Sequence, residues 1–140
     1  MYENSIRTPS IKVTPELVRT LIDRGGYTNL LFNPTAEQRA DGTEAPLPGQ
    51  GVLLLAGGLV EQSGALEDTI ALVELRSVRF LQMVKPGSTL HVELTPGEGK
   101  ETKSGRVIRD YNWLVLNDTG DRILEAIAVM LMKKERREQG

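Results

Sequence analysis

The sequence has no cysteine and a single histidine. Without thiols there are no disulfides, no thiolate nucleophile and no thiolate metal site, and the chain fits a reducing compartment. The lone histidine, His91, has no second histidine or cysteine to share a metal, so neither a metal nor a cofactor is expected. Long apolar runs are also missing: no stretch approaches the ~20 residues of a membrane span. The opening MYENSIRTPSIKV lacks the apolar core and small-residue cleavage site of a signal peptide. A cytoplasmic protein with no membrane partner is the expectation. Basic and acidic residues, 17 and 19, are spread along the chain and leave a formal charge of −2, which gives no footprint for nucleic acid.

What is present suits one core, since a chain of 140 residues buries roughly two thirds of the surface its unfolded form exposes. Thr14, Pro15 and Glu16 form a helix start: a hydroxyl to cap free amides, a proline at the first helical position and an acid in the first turn. Leu17, Val18, Leu21 and Ile22 supply an apolar stripe and Gly25-Gly26 a stop, which predicts a helix over 15–24. From Tyr27 to Gln50 the chain is irregular, broken by Pro34, Gly42, Pro46 and Pro48, with one or two helical turns between Thr35 and Ala40. A loop this long is either a solvated insertion or a functional element. The apolar run that follows predicts a buried helix over 50–63. Gly57 and Gly58 inside it each cost roughly 1 kcal/mol against alanine, which calls for close approach of a sheet, a partner helix or a ligand.

After Thr69 the period becomes that of strands. Val73 and Leu75 share one phase, Val78 and Phe80 the other, which places a bulge near Ser77. A turn at Pro86-Gly87 leads to a strand with Leu90, Val92 and Leu94 inward and His91 outward, as a surface residue. Residues 95–99 read as the next turn, Arg106–Asn117 as the third strand, and Ile123–Met132 as the fourth. That last strand is apolar on both faces except for Glu125, so it should lie centrally. One more strand between Ser5 and Val13 is possible. The expected fold class is α+β, with domain boundaries at 1–134 and a charged, solvated C-terminal tail at 135–140.

Three words in the chain resemble the MaoC-like dehydratases and hydratases of the hotdog superfamily. FLQMVKPGSTLHVEL at 80–94 is similar to their F-x-x-P-V-x-P-G-D-T-L-x-V segment. LVLNDTGDRILEAIAV at 114–129 resembles their closing hairpin, and PGQGVLLL at 48–55 the start of their central helix. The resemblance spans most of residues 14–134. It implies a hotdog fold, a curved antiparallel β-sheet wrapped around a central apolar α-helix, and a homodimer that takes an acyl-CoA or acyl-ACP thioester.

The family's catalytic segment reads G-D-x-N-P-x-H-x-D, and a second word, H-G, opens the helix. Here GYTNLLFNP at 26–34 keeps Gly26 and Asn29, but the acid falls on Tyr27 and the imidazole on Phe32; the helix-opening histidine falls on Gln50, followed by a retained Gly51. Enoyl-thioester hydration needs a carboxylate and an imidazole to deprotonate water, and a donor for the charge that builds on the thioester oxygen. Backbone amides at a helix start can supply the donor whatever the side chains are. Phenylalanine cannot titrate, so the resemblance implies a carbonyl site at Gly51, with Asn29 and Gln50 as substrate-binding candidates, and no acid/base pair. The dehydratase variant with a helix carboxylate is also missing, because Ala56 holds that position.

Glu61 near the helix end is the remaining catalytic candidate, as base or nucleophile of an acyl-CoA thioesterase. Asp41, Glu44 and Asp68 read as surface acids. Arg106, Arg109 and Asp110 mark either the rim of a nucleotide-phosphate cleft or a charge-protected edge strand. A third role stays open, that of a noncatalytic subunit in a heteromeric dehydratase whose partner chain donates the Asp and His.

Overall fold

A computed structural model describes residues 4–133; the expected tail at 135–140 lies outside them. Helix α1 (Pro15–Gly25) forms where the capping signals place it. The Thr14 hydroxyl accepts from the Leu17 amide, and Gly26 ends the helix in the left-handed region at φ 75°. Its Val18 and Ile22 enter the core. Helix α2 (Ala36–Ala40) is a short turn with a reciprocal capping box between Thr35 and Gln38. Helix α3 (Gly49–Gln62) follows Pro48 directly.

Six strands make one antiparallel sheet: β1 (Ile6–Arg7), β2 (Ile11–Lys12), β3 (Thr69–Phe80), β4 (Thr89–Glu101), β5 (Val107–Asn117) and β6 (Arg122–Met132). Their order is β1-β4-β5-β6-β3, with β2 also on β4. Period-two alternation sends Leu90, Val92 and Leu94 of β4, Tyr111, Trp113 and Val115 of β5, and Leu124, Ala126 and Ala128 of β6 into the core. Against that layer α3 lays Val52, Ala56, Leu59 and Val60, which recur at helical spacing and are all buried. As expected, β6 is interior, between β5 and β3, and β3 carries its bulge at Ser77, whose φ is 53°. The first strand is split in two. Between the pairs Arg7↔Glu93 and Ile11↔Leu90, three residues, Thr8, Pro9 and Ser10, face two, so a bulge absorbs the proline.

Three expectations are corrected. Residues 95–99 are not a turn: β4 runs on to Glu101, pairing Pro96 with Tyr111 and Gly99 with Arg109 across a bulge, and the chain reverses at Thr102–Arg106. The glycines there serve close cross-strand approach. A Cβ on Gly97 would lie 3.1 Å from the Asp110 carbonyl, and one on Gly99 2.9 Å from the Arg109 and Val107 side chains. His91 is not a surface residue, since it retains 8% of its exposure. It stands opposite the bulged segment from Thr8 to Ser10, and Thr8 and Val92 exchange hydrogen bonds of 3.0 and 2.9 Å at that point. Burial, with the positive charge of Arg7, holds its pKa below the usual histidine value, against a smaller upward pull from Glu93. Finally, the strand bearing Arg109 and Asp110 is interior and not an edge.

Helix α3 is less enclosed than its composition suggests. Leu54 is 64% exposed and Gly58 is open, so among the described residues nothing covers this face of the helix. The neighbouring β3 pairs on one side only, with β6, and exposes Ile70, Leu72, Val73 and Phe80.

Candidate functional site

The loop after α1 is held by side-chain amides. Asn33 donates from Nδ2 to the carbonyls of Tyr27 (2.9 Å) and Asn29 (3.0 Å), while its Oδ1 accepts from Arg19 at 2.8 Å. Arg19 also reaches the Phe32 carbonyl at 3.3 Å and the Asp23 carboxylate at 2.7 Å, and this pairing holds the Asp23 pKa down. These bonds fold residues 27–33 back on themselves, so that the Tyr27 and Phe32 rings meet edge to face with centroids 5.1 Å apart. Gly25 makes room for this arrangement: a Cβ there would lie 2.6 Å from the Tyr27 ring. The Tyr27 hydroxyl donates to Oε1 of Gln50 at 3.1 Å. The positions that the motif resemblance sets against an acid, an imidazole and a helix-opening histidine thus come together at the start of α3, as a phenol, a phenyl ring and a carboxamide.

The other named residues are placed as follows. Asn29 accepts from the Leu31 amide at 2.8 Å, so its oxygen is spent within the loop. The Gly51 amide donates to the Pro48 carbonyl at 2.8 Å and is not free for a ligand oxygen in this conformation. The glycine is required instead by packing, since a Cβ would stand 3.1 Å from Leu47 and 3.4 Å from Leu21. Glu61 is exposed at the far end of α3, 11 residues from Gln50 and hence roughly 16 Å along the axis. Arg109 donates to the Gly97 carbonyl at 2.8 Å, and Asp110 accepts from Arg76 at 2.7 Å, so both act within the sheet. Asp41 caps the end of α2. Among the described residues no group of three His, Asp or Glu side chains could hold a metal.

A groove of about 1020 Å³ begins at Gln50 and runs along α3. One helical face, Gln50, Leu53, Leu54, Gly57, Gly58 and Glu61, forms one wall; Leu72 and Leu75 of β3, Trp113 of β5 and Met130 of β6 contribute to the rest. No contact among the described residues requires glycine in that wall. A Cβ on Gly57 would meet only Trp113, at an ordinary 3.8 Å, and one on Gly58 would meet nothing within 4 Å. Trp113 also has a buried indole N–H with no acceptor among the described residues, and an unsatisfied buried donor costs about 1–3 kcal/mol. Sequence reasoning missed Arg19, Gly25, Asn33 and Trp113. Two of them left a local sign: Gly25 as part of the Gly25-Gly26 helix stop, and Asn33 beside the chain-breaking Pro34.

The architecture can be compared with known structures. A structure of a monoamine oxidase regulatory protein from Archaeoglobus fulgius superposes with a TM-score of 0.83 over 97% of this chain and 92% of that one, at 21% identity. A MaoC-like dehydratase from Rhodospirillum rubrum gives 0.78 over 98% and 95%, at 17% identity. The chain has the hotdog fold. Another hotdog match is the HadBC (3R-hydroxyacyl-ACP dehydratase) complex of Mycobacterium tuberculosis, with a TM-score of 0.67 over 94% of this chain and 98% of that one, at 20% identity. No family model and no curated protein matches the sequence. Within the hotdog frame α3 is the central helix, and the cluster of Tyr27, Phe32 and Gln50 stands at its N-terminal end.

Proposed function

We propose that this chain is an acyl-thioester-binding hotdog protein that takes acyl-CoA or acyl-ACP and carries out no hydration by itself. The observation that carries this reading is an apolar groove bordered by Gln50, which accepts from the Tyr27 hydroxyl while the Tyr27 ring meets Phe32. The groove offers an acyl chain apolar walls, and the mouth offers hydrogen bonding. A phenol is a poor base near neutral pH and neither a phenyl ring nor a carboxamide titrates there. The acyl-CoA thioesterase reading on Glu61 gains no support, because that carboxylate is exposed and at the opposite end of the groove.

The chain acts as a dimer. The unpaired 12-residue edge of β3 and the bare Leu54 face call for a covering partner, since long apolar edge strands are otherwise prone to uncontrolled association. A second copy of the chain is the simplest partner. A catalytic hotdog chain bringing its own Asp and His is the second reading, and the likeness to a complex of two chains favours it.

The test is to purify the chain alone and add crotonyl-CoA and longer enoyl-CoAs. Loss of the conjugated-thioester absorbance should not exceed the uncatalysed rate, while acyl-CoA should raise the melting temperature, because a ligand of the native state stabilises it by mass action. Turnover that survives Tyr27→Phe and Phe32→Ala would place catalysis elsewhere and overturn the reading. Thiol release abolished by Glu61→Gln would favour the thioesterase.

A further inference from the structure

Three features at one spot of the groove cost stability without serving any contact within the chain. Trp113, on the sheet side, keeps 6% of its exposure, and its indole N–H has no acceptor among the described residues. Its ladder partners on the two neighbouring strands, Leu94 and Ala126, have apolar side chains and offer none. A buried donor left unsatisfied is a net loss on folding. Across from the ring, α3 carries Gly57 and then Gly58, each of which weakens a helix relative to alanine. A Cβ on Gly57 would meet only Cη2 of the indole, at 3.8 Å, and one on Gly58 would meet nothing within 4 Å. Neither glycine is needed to seat the tryptophan. A helix wall without side chains, facing a donor without a partner, is the complement of a ligand that carries an acceptor.

We propose that the groove takes an acyl chain with a keto oxygen partway along it, and that the Trp113 indole N–H is the donor that reads this oxygen. The inference rests on the function proposed above and adds the substituent that the chain selects. Indole donates one hydrogen bond and accepts none, so its complement is an oxygen with no proton of its own to place. A hydroxyl would add an O–H in need of a further acceptor. Charge within the groove sets the direction of the ligand. Glu61 and Glu67 border the end away from Gln50, and among the described residues no Lys, Arg or His lines the groove. The phosphates of a CoA or ACP carrier are repelled from that end and lie toward Gln50. Gly57 stands seven residues beyond Gln50 on α3, roughly 10 Å along the axis, which puts Trp113 beside the acyl chain and not beside the carrier. The N–H is closed to solvent, so the oxygen is met by a small turn of the indole, and the bare wall at Gly57 and Gly58 leaves the ring that freedom.

Trp113 is the only tryptophan of the chain, so the full-length protein labelled with heavy nitrogen shows a single indole N–H resonance. That resonance is recorded with decanoyl-CoA and with decanoyl-CoAs bearing one keto group at the fifth, seventh or ninth carbon. At least one oxo ligand should move the indole proton downfield, as a new hydrogen bond does. The same ligand should bind roughly three- to tenfold tighter than decanoyl-CoA in calorimetric titration, which is the worth of one neutral hydrogen bond. Decanoyl-CoA should bind without that downfield move. Trp113→Phe keeps an aromatic ring in the core but has no N–H, and it should bring the two affinities together, whereas loss of a merely structural tryptophan would weaken both ligands alike. If that variant does not fold, the wild-type resonance decides by itself. Decanoyl-CoA that binds while no oxo ligand moves the indole proton or binds tighter would overturn the inference and leave acyl-CoA binding standing. An equal downfield move with decanoyl-CoA would assign the donor to the thioester carbonyl and overturn the keto reading. Failure of every ligand to bind would overturn the proposed function and this inference with it.

Discussion

Gly58→Ala separates what the chain needs for folding from what the groove needs for binding. The residue sits inside α3, and a Cβ built on it has no heavy atom within 4 Å, so the alanine methyl causes no clash. Replacing an interior helical glycine by alanine stabilises a helix by about 0.8–1 kcal/mol, chiefly through the entropy of the unfolded chain. For a chain of this size that corresponds to about 3–5 °C in melting temperature. The methyl group projects toward the groove wall, where a ligand should feel it. Gly58→Leu, with a longer side chain, should close that part of the groove. Scanning calorimetry of the free protein and titration with octanoyl-CoA check both halves. The expected outcome is a more stable free chain that binds the ligand more weakly, with Gly58→Leu weaker still. An alanine variant that is less stable and shifted toward monomer in analytical ultracentrifugation would refute the reasoning. It would mean that a second copy, and not a ligand, occupies the space beside Gly58. Greater stability with unchanged affinity in both variants would show that the acyl chain does not pass the glycine.

Three further outcomes follow from named contacts. Restoring titratable groups with Tyr27→Asp and Phe32→His should create weak crotonyl-CoA hydratase activity, since a positioned acid/base contributes roughly 10²- to 10⁴-fold; no activity in a folded double variant would show that these positions are not in catalytic register. Asn33→Ala should lower stability by about 1–3 kcal/mol, because its bonds to Tyr27, Asn29 and Arg19 are lost together, and denaturant unfolding measures this. Stability should also fall on mild acidification through His91. Burial, aided by Arg7 and opposed by Glu93, holds its folded-state pKa below the ordinary 6.5, so the unfolded chain binds more protons as pH drops below that value. The loss begins near 6.5 and levels off below the folded-state pKa, whereas the lowered carboxyls of Asp23 and Asp121 act only below their ordinary 3.8. Urea midpoints measured between about pH 7.5 and pH 5 should decline for the wild type and stay flatter for His91→Gln.

Elements governed by neighbours in sequence were legible from the residues. The caps of α1 at Thr14 and Gly26, the short helical turn after Thr35 and the bulge at Ser77 all follow from local signals, and each is where those signals place it. Errors arose where one residue type serves two purposes. Gly97 and Gly99 were read as turn formers, but their lack of a side chain serves a close strand crossing that only the partner strand reveals. His91 lies on the stretch of β4 opposite the bulged segment around Thr8, more than 80 positions away in sequence, and alternation on its own strand did not disclose its burial. The open face of α3 was hidden for another reason. With leucines on several sides, the composition of GQGVLLLAGGLVEQ does not say which of them the sheet reaches.

The site raises a different question, because its positions were found by resemblance whereas its contacts were not. The resemblance places Tyr27, Phe32 and Gln50 where the family's motif has an acid, an imidazole and a helix-opening histidine. Their contacts with one another, across 23 residues between Tyr27 and Gln50, show that they form a set. Independent loss of function would leave three unrelated side chains, with no reason for a glycine to clear space for the tyrosine or for Asn33 to pin its carbonyl. The arrangement instead resembles what selection for binding without proton transfer would keep. Such a site suits a chain that holds an acyl group while chemistry is done elsewhere. On that argument the informative partner is whatever covers β3 and the Leu54 face. If it is a second copy, neither chain brings the Asp and His of the motif and the assembly is a carrier. If it is a chain with its own acid and base, the groove described here is the passive half of an enzyme.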